Sequence, residues 1–309
     1  MQTLSPFAIL YKEHGVGPIS HLAFSSQGLL AIGCRGVDIW DFSSETVPDD
    51  SRVAFDGAYM AALAFSPDGR HIAVGQEHGT AIFDIATASK IQEHRQNGEA
   101  DVLAWSPDGR YLAVCSEYGQ YHVWTPETGE VIQERHFELP PLFLLWLSDG
   151  RLATNPFTLS PPCSMWQVQL WNAMQTEVEY LIDDGVCRCD DYTCAAMSPN
   201  STTLALGTTE GFVQLWQAAA GTVPKPQAVF SFHMNTVQGL AWSPDGTLLA
   251  SGAADGHVVV WNERGEILFH TGSRRSGSLG VRDVAWWRDF LVVADDAGRV
   301  ALYRVPAHE

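Results

Sequence analysis

The sequence predicts an all-β chain assembled from seven tandem repeats, and three observations predict it. An aromatic or bulky apolar residue inside a short apolar strand returns at Phe24, Phe65, Trp105, Trp146, Met197, Trp242 and Trp286, at steps of 41, 40, 41, 51, 45 and 44 residues. A polar turn follows it, most often Ser-Pro-Asp-Gly. Most units then end in a strand closing on Trp or another bulky apolar residue.

Taken in order, the first unit reads "HLAFSSQG" and closes on "VDIWD", the second "ALAFSPDGR" on "AIFDI", and the third "VLAWSPDGR" on "YHVWT". The fourth, "LLWLSDGR", reaches "VQLWN" only after an enlarged connection, Asn155 to Met165. The fifth, sixth and seventh run from "CAAMSPNST", "GLAWSPDGT" and "DVAWWRDF" to "VQLWQ", "VVVWN" and "ALYRV". Pro presets φ and Gly accepts positive φ, so Pro-Asp-Gly between apolar runs turns the chain. The runs themselves are short and rich in Val, Ile, Leu and aromatics, as strands buried on both faces require.

These residues carry a resemblance. The recurring "LAFSPDG…LA.G…DG…VW" pattern resembles the WD-40 repeat, and seven copies cover nearly the whole chain. The resemblance implies a seven-bladed β-propeller of four-stranded antiparallel blades, one domain over residues 1–309. It also implies that His233, Ser251, Asp255 and Trp261 of the sixth copy form the family's structural hydrogen-bonded tetrad, a stabilising rather than catalytic set. The first three copies depart at the Asp position, which is Arg35, His78 and Tyr118, so packing should hold those blades. Only "PAHE" follows the seventh closing strand. The ring is therefore expected to be closed by the N-terminal strand, within about residues 5–12, which removes an open sheet edge.

Composition narrows function. The chain has 309 residues, enough to bury a core without disulfides or metal. Its formal charge is −18, from 36 acidic and 18 basic residues, and only Lys12, Lys90 and Lys225 are lysines. Such a surface repels nucleic acid and anionic lipid and favours a basic protein partner. No basic leader segment precedes the apolar run Phe7 to Tyr11, and no stretch reaches a membrane span. The expectation is a soluble cytoplasmic protein, monomeric alone, with reduced thiols.

Three of the six cysteines lie in "GVCRCDDYTC", residues 185–194. In the architecture the resemblance implies, this stretch and the enlarged connection of the fourth unit share the top face, the end carrying the second-to-third turns. Cys163 would then lie near Cys187, Cys189 and Cys194. Three readings stay open: small buried hydrophobes, a zinc or copper(I) site held by those four thiolates, or a redox or disulfide site beside Arg188. The spacing is not the Cys-x-x-Cys of common zinc sites. No cofactor is required by anything else in the sequence.

The family's partner-contact position, one residue after the position of Val237 in the sixth unit, reads Ser20, Ala61, Asp101, Leu142, Thr193, Gln238 and Arg282. With Tyr59, Glu77, Glu99, Glu117 and Asp296 these positions outline a top-face rim, acidic on the second and third units. Carboxylates beside an aromatic suit an Arg- or Lys-bearing segment. No fingerprint of a hydrolase, metalloprotease or nucleotide site appears, so the chain is not expected to be an enzyme. The expected function is a non-catalytic protein-interaction scaffold. A metal-handling accessory protein and an enzyme with a channel site are the alternatives.

Overall fold

Apolar strands that alternate with tight turns have one way to bury both faces: each short sheet packs against the next. The computed structural model describes residues 2–3, 5–11, 19–33, 36–44, 48, 52–56, 62–155, 157–160, 163–166, 168–173, 178–182, 192–271 and 279–306. The fold is an all-β seven-bladed propeller of antiparallel blades, and no helix occurs among the described residues. In the first six blades the four principal strands follow one another in sequence order from inner to outer, and in the seventh the outer place is taken by a strand from the N-terminal segment.

Two compact units emerge, Ala23–Cys189 and Met1–Leu22 with Asp190–Glu309. The first holds blades one to four. In the second blade the strands are Leu63–Phe65, His71–Gln76, Gly79–Asp84 and Lys90–Arg95; in the third, Ala100–Trp105, Leu112–Ser116, Gln120–Thr125 and Glu130–His136. One cluster packs Ile72 and Val74 of the second blade on Ala31, Val37 and Ile39 of the first. Another joins Ala73 and Ile82 to Leu103, Leu112 and Trp124. The enlarged connection of the fourth blade is more than a loop: Phe157–Ser160 and Cys163–Trp166 pair as an antiparallel hairpin between Arg151–Thr154 and Val168–Asn172.

The second unit holds blades five to seven. Ala8–Tyr11 pairs antiparallel with Arg299–Arg304 as the outer strand of the seventh blade, as the sequence led one to expect. A contact the sequence did not announce precedes it: Gln2–Thr3 adds, in parallel, a fifth strand to the sixth blade beside Ile267–Thr271.

The repeated turn has one local mechanism. Ser66 donates its hydroxyl to Asp68 at 2.6 Å, Asp68 accepts the Arg70 N–H, and Ser66 Oγ accepts the His71 N–H. The same bonds recur at Ser106 with Asp108 and at Ser243 with Asp245. Gly69, Gly109 and Gly246 follow with φ of 70°, 71° and 74°, a region open to Gly without steric cost. In the fifth blade Asn200 replaces the Asp and Ser201 takes the left-handed position at 56°.

Candidate functional site

A polar constellation of four side chains lies in the sixth blade. His233 meets Ser251 Oγ at 2.8 Å through Nε2 and Asp255 at 3.4 Å through Nδ1, while the Trp261 indole donates to Ser251 Oγ at 2.8 Å. Burial alone would raise the Asp255 carboxyl. Bonds from His233 and from the Met234 and His257 N–H groups outweigh it and hold that carboxyl well below the usual range. A Ser, His and Asp in line resemble a nucleophilic triad, yet Ser251 is fully buried and already receives the indole. A nucleophile needs an open approach to the reacting carbon, so this set orders the blade.

Other blades replace it piecemeal. Trp171 donates to Thr154 Oγ1 at 3.3 Å, and Trp216 to Gln214 Oε1 at 3.1 Å, which Tyr192 also reaches. In the third blade the buried Trp124 N–H has no partner, and the ring stacks on His94 at 5.4 Å. The bond that ties Trp261 to Ser251 in the sixth blade thus has no counterpart at Trp124.

The acidic rim is built in the unit Ala23–Cys189. Glu77 and Glu117 occupy the second-to-third turns of the second and third blades, Asp101 lies at the start of the third blade's inner strand and Glu99 just before that strand. The Glu99 N–H donates to Glu117 Oε1 at 3.3 Å and the Glu117 N–H to the Glu99 carbonyl at 2.9 Å. Burial, then Glu117 and Glu77, push the Glu99 carboxyl up. Burial, then Glu99 and Glu117, push Asp101 up to about 6. Among the described residues no Lys or Arg forms an ion pair with any of the four; Glu77 has only His78, at 4.0 Å. Tyr118, 60% exposed, lies over Gly98, where a Cβ would fall 2.7 Å from its ring.

Backbone geometry distinguishes four of the seven positions that the sequence marks on the rim. The register shifts between Ala100 and Val102, Tyr192 and Cys194, Val237 and Gly239, and Val281 and Asp283. Asp101, Thr193, Gln238 and Arg282 are therefore the unpaired residues of equivalent β-bulges. A bulge re-aims the side chain it carries, which alignment could mark but not explain. Thr193 turns its hydroxyl inward to the Gly207 and Val237 carbonyls. Arg282 forms an ion pair with Asp296, whose carboxylate also accepts the Gly280 N–H. Those two rim residues engage each other, in the unit that contains the C-terminus. Tyr59 and Ala61 lie outside the described residues.

The cysteines divide the same way. Cys34, Cys187 and Cys189 lie outside the described residues, and Cys163 opens a strand whose side chains do too. Cys194 donates to the Val237 carbonyl at 3.6 Å, and burial pushes its thiol up to about 12. Burial, then Asp101, pushes the fully buried Cys115 thiol up strongly. Both keep their protons at neutral pH. Among the described residues no group of three or more His, Cys, Asp or Glu is placed to hold a metal.

One buried acid escaped the sequence reading. Asp283 accepts the Leu22 and Val284 N–H groups at 2.8 Å, joining two segments of its own compact unit, and burial pushes it up to about 7.

Comparison with known proteins agrees with this geometry. Residues 224–262 match the WD40 family (WD domain, G-beta repeat), and residues 82–149 match the anaphase-promoting complex subunit 4 WD40 domain. A chain of the solved crystal structure of a mitotic checkpoint complex is similar over 99% of this chain and 94% of that one, at 19% identity and a TM-score of 0.82. At that identity the likeness is one of fold.

Proposed function

We propose that this chain, whose WD40 repeats fold as a seven-bladed β-propeller, is a non-catalytic platform that holds a basic protein segment on its top face. The observation that carries the reading is the gathering of Glu77, Glu99, Asp101 and Glu117 without a Lys or Arg among them. Carboxylates that raise one another's affinity for protons do the same for any cation brought between them. A guanidinium takes two such oxygens at once, and the exposed face of Tyr118 adds a cation–π surface. A preformed rim on short, tightly turned strands spares the ordering cost of binding.

The test is fluorescence polarisation with a labelled peptide carrying three arginines among glycines and serines. Asp101→Arg with Glu117→Arg should weaken binding at least about tenfold, in line with loss of charge-assisted bonds. Binding to the native chain should also weaken between pH 7.5 and 5 as Asp101, with its value of about 6, takes up a proton. Undiminished binding to the double variant, of this peptide or of a captured partner, would sink the acidic-rim reading.

A further inference from the structure

The chain has six asparagines, and glycine follows one of them, at Asn97–Gly98. That pair lies in the connection between the second blade's outer strand, Lys90–Arg95, and the third blade's inner strand, Ala100–Trp105, just before Glu99. Position 98 demands glycine. Its φ is 81°, and a Cβ there would fall 2.7 Å from the Tyr118 ring and 3.0 Å from Glu117 Cγ, so any other residue meets backbone strain as well as a clash.

Position 97 makes no such demand. The Asn97 N–H donates to Gln120 Oε1 at 3.3 Å, a bond open to any residue but proline. Its carboxamide belongs to an exposed residue and forms no hydrogen bond among the described residues. Other asparagines differ: the side-chain oxygens of Asn155, Asn200, Asn235 and Asn262 each accept a backbone N–H, the local bond that favours asparagine in turns. The Gly98 N–H likewise has no partner among the described residues.

An uncommitted carboxamide held beside an unbonded amide nitrogen with no Cβ in the way favours intramolecular attack. The Gly98 nitrogen bonds to Asn97 Cγ, the Cγ–Nδ2 bond breaks, and the Gly98 proton passes through water to the departing ammonia, leaving a cyclic imide. Water then opens the ring at either carbonyl, giving aspartate from one and isoaspartate from the other. In sum a water is consumed and an ammonia released, and both products carry a carboxylate where a neutral amide stood.

We propose that Asn97 is a self-modifying site, converted by Gly98 and water to an acidic residue, and that the conversion strengthens the hold of the acidic rim on a cationic segment. Its consequence rests on the acidic-rim reading, and its chemistry does not. The new carboxylate joins Glu99, two residues on, and Glu117, whose Cγ borders Gly98. Carboxylates gathered in this way favour any cation set among them. The step needs no enzyme, so the charge of the rim records the age of the molecule.

Incubation of the full chain at pH 8 tests it, followed by ion-exchange chromatography and mass mapping of the tryptic peptide spanning residues 96–110. A more acidic form should accumulate, with fragment ions placing the amide-to-acid mass gain at Asn97 and faster there than at the other asparagines. Asn97→Gln should suppress it, because the longer side chain closes its ring far more slowly. Asn97→Asp, which supplies the product directly, should bind the three-arginine peptide about twofold to fivefold more tightly, as an added exposed charge allows, with unchanged thermal melting as proof of fold. An Asn97 that stays intact, or equal conversion in Asn97→Gln, would overturn the site. Unchanged affinity in Asn97→Asp while Asp101→Arg with Glu117→Arg still weakens binding would overturn the consequence and leave the rim reading standing. Absence of binding by every form would overturn the rim reading, with the mass map still deciding the chemistry.

Discussion

Asp283 shows how one side chain can set a pH response. Its native value of about 7 stands above the ordinary aspartate value near 3.9, so the folded chain keeps a proton that the unfolded chain releases. The stability it contributes is complete below about pH 4 and declines as pH rises to about 7, by at most about 4 kcal/mol. Asp101 acts in the same direction. Asp255, held low, acts in the opposite one: its contribution is present at neutral pH and is lost as pH falls below the ordinary aspartate value. In urea unfolding at pH 5 and pH 8, Asp283→Asn should flatten the fall in stability. An unaltered slope would mean that another group carries it. Nothing in "VRDVAW" marks Asp283, because the Leu22 N–H it accepts lies 261 positions away in sequence.

Blades differ in what orders them, and the difference is measurable. Ser251→Ala in the sixth blade strands both the His233 ring nitrogen and the Trp261 N–H, two buried groups each costing about 1–3 kcal/mol when unpaired. Thr154→Val in the fourth strands one, the Trp171 N–H, from a longer bond of 3.3 Å. Thermal melts should rank Ser251→Ala as the more damaging; equal losses would mean that the tetrad adds nothing beyond packing. The Ser-Pro-Asp-Gly turns were legible because Asp, Gly and Ser each perform a local task there. The bulges at Asp101, Thr193, Gln238 and Arg282 were not, since a bulge is a mismatch between two strands and neither strand's sequence states it.

Both chain ends meet in the unit that contains blades five to seven. Removing residues 1–12 takes away Ala8–Tyr11 and Gln2–Thr3 together, exposing the ladders of Arg299–Arg304 and Ile267–Thr271. Uncovered edges template pairing with other chains. The truncated protein should therefore aggregate on size-exclusion chromatography and melt lower. A monomer with unchanged melting would show that these strands are dispensable.

Seven units, their turns, the closing N-terminal strand and the sixth-blade tetrad were all readable from residue order, because each depends on short-range periodicity or on a motif complete within one unit. The carboxylates of the second and third units could be named individually from the same alignment. Their mutual influence, the capture of Arg282 by Asp296 and the protonated state of Cys194 depend on distances between groups that lie apart in sequence. Periodicity selects which residues share a blade. Burial and electrostatics act through space, so only the packed blades decide which of those residues feel one another.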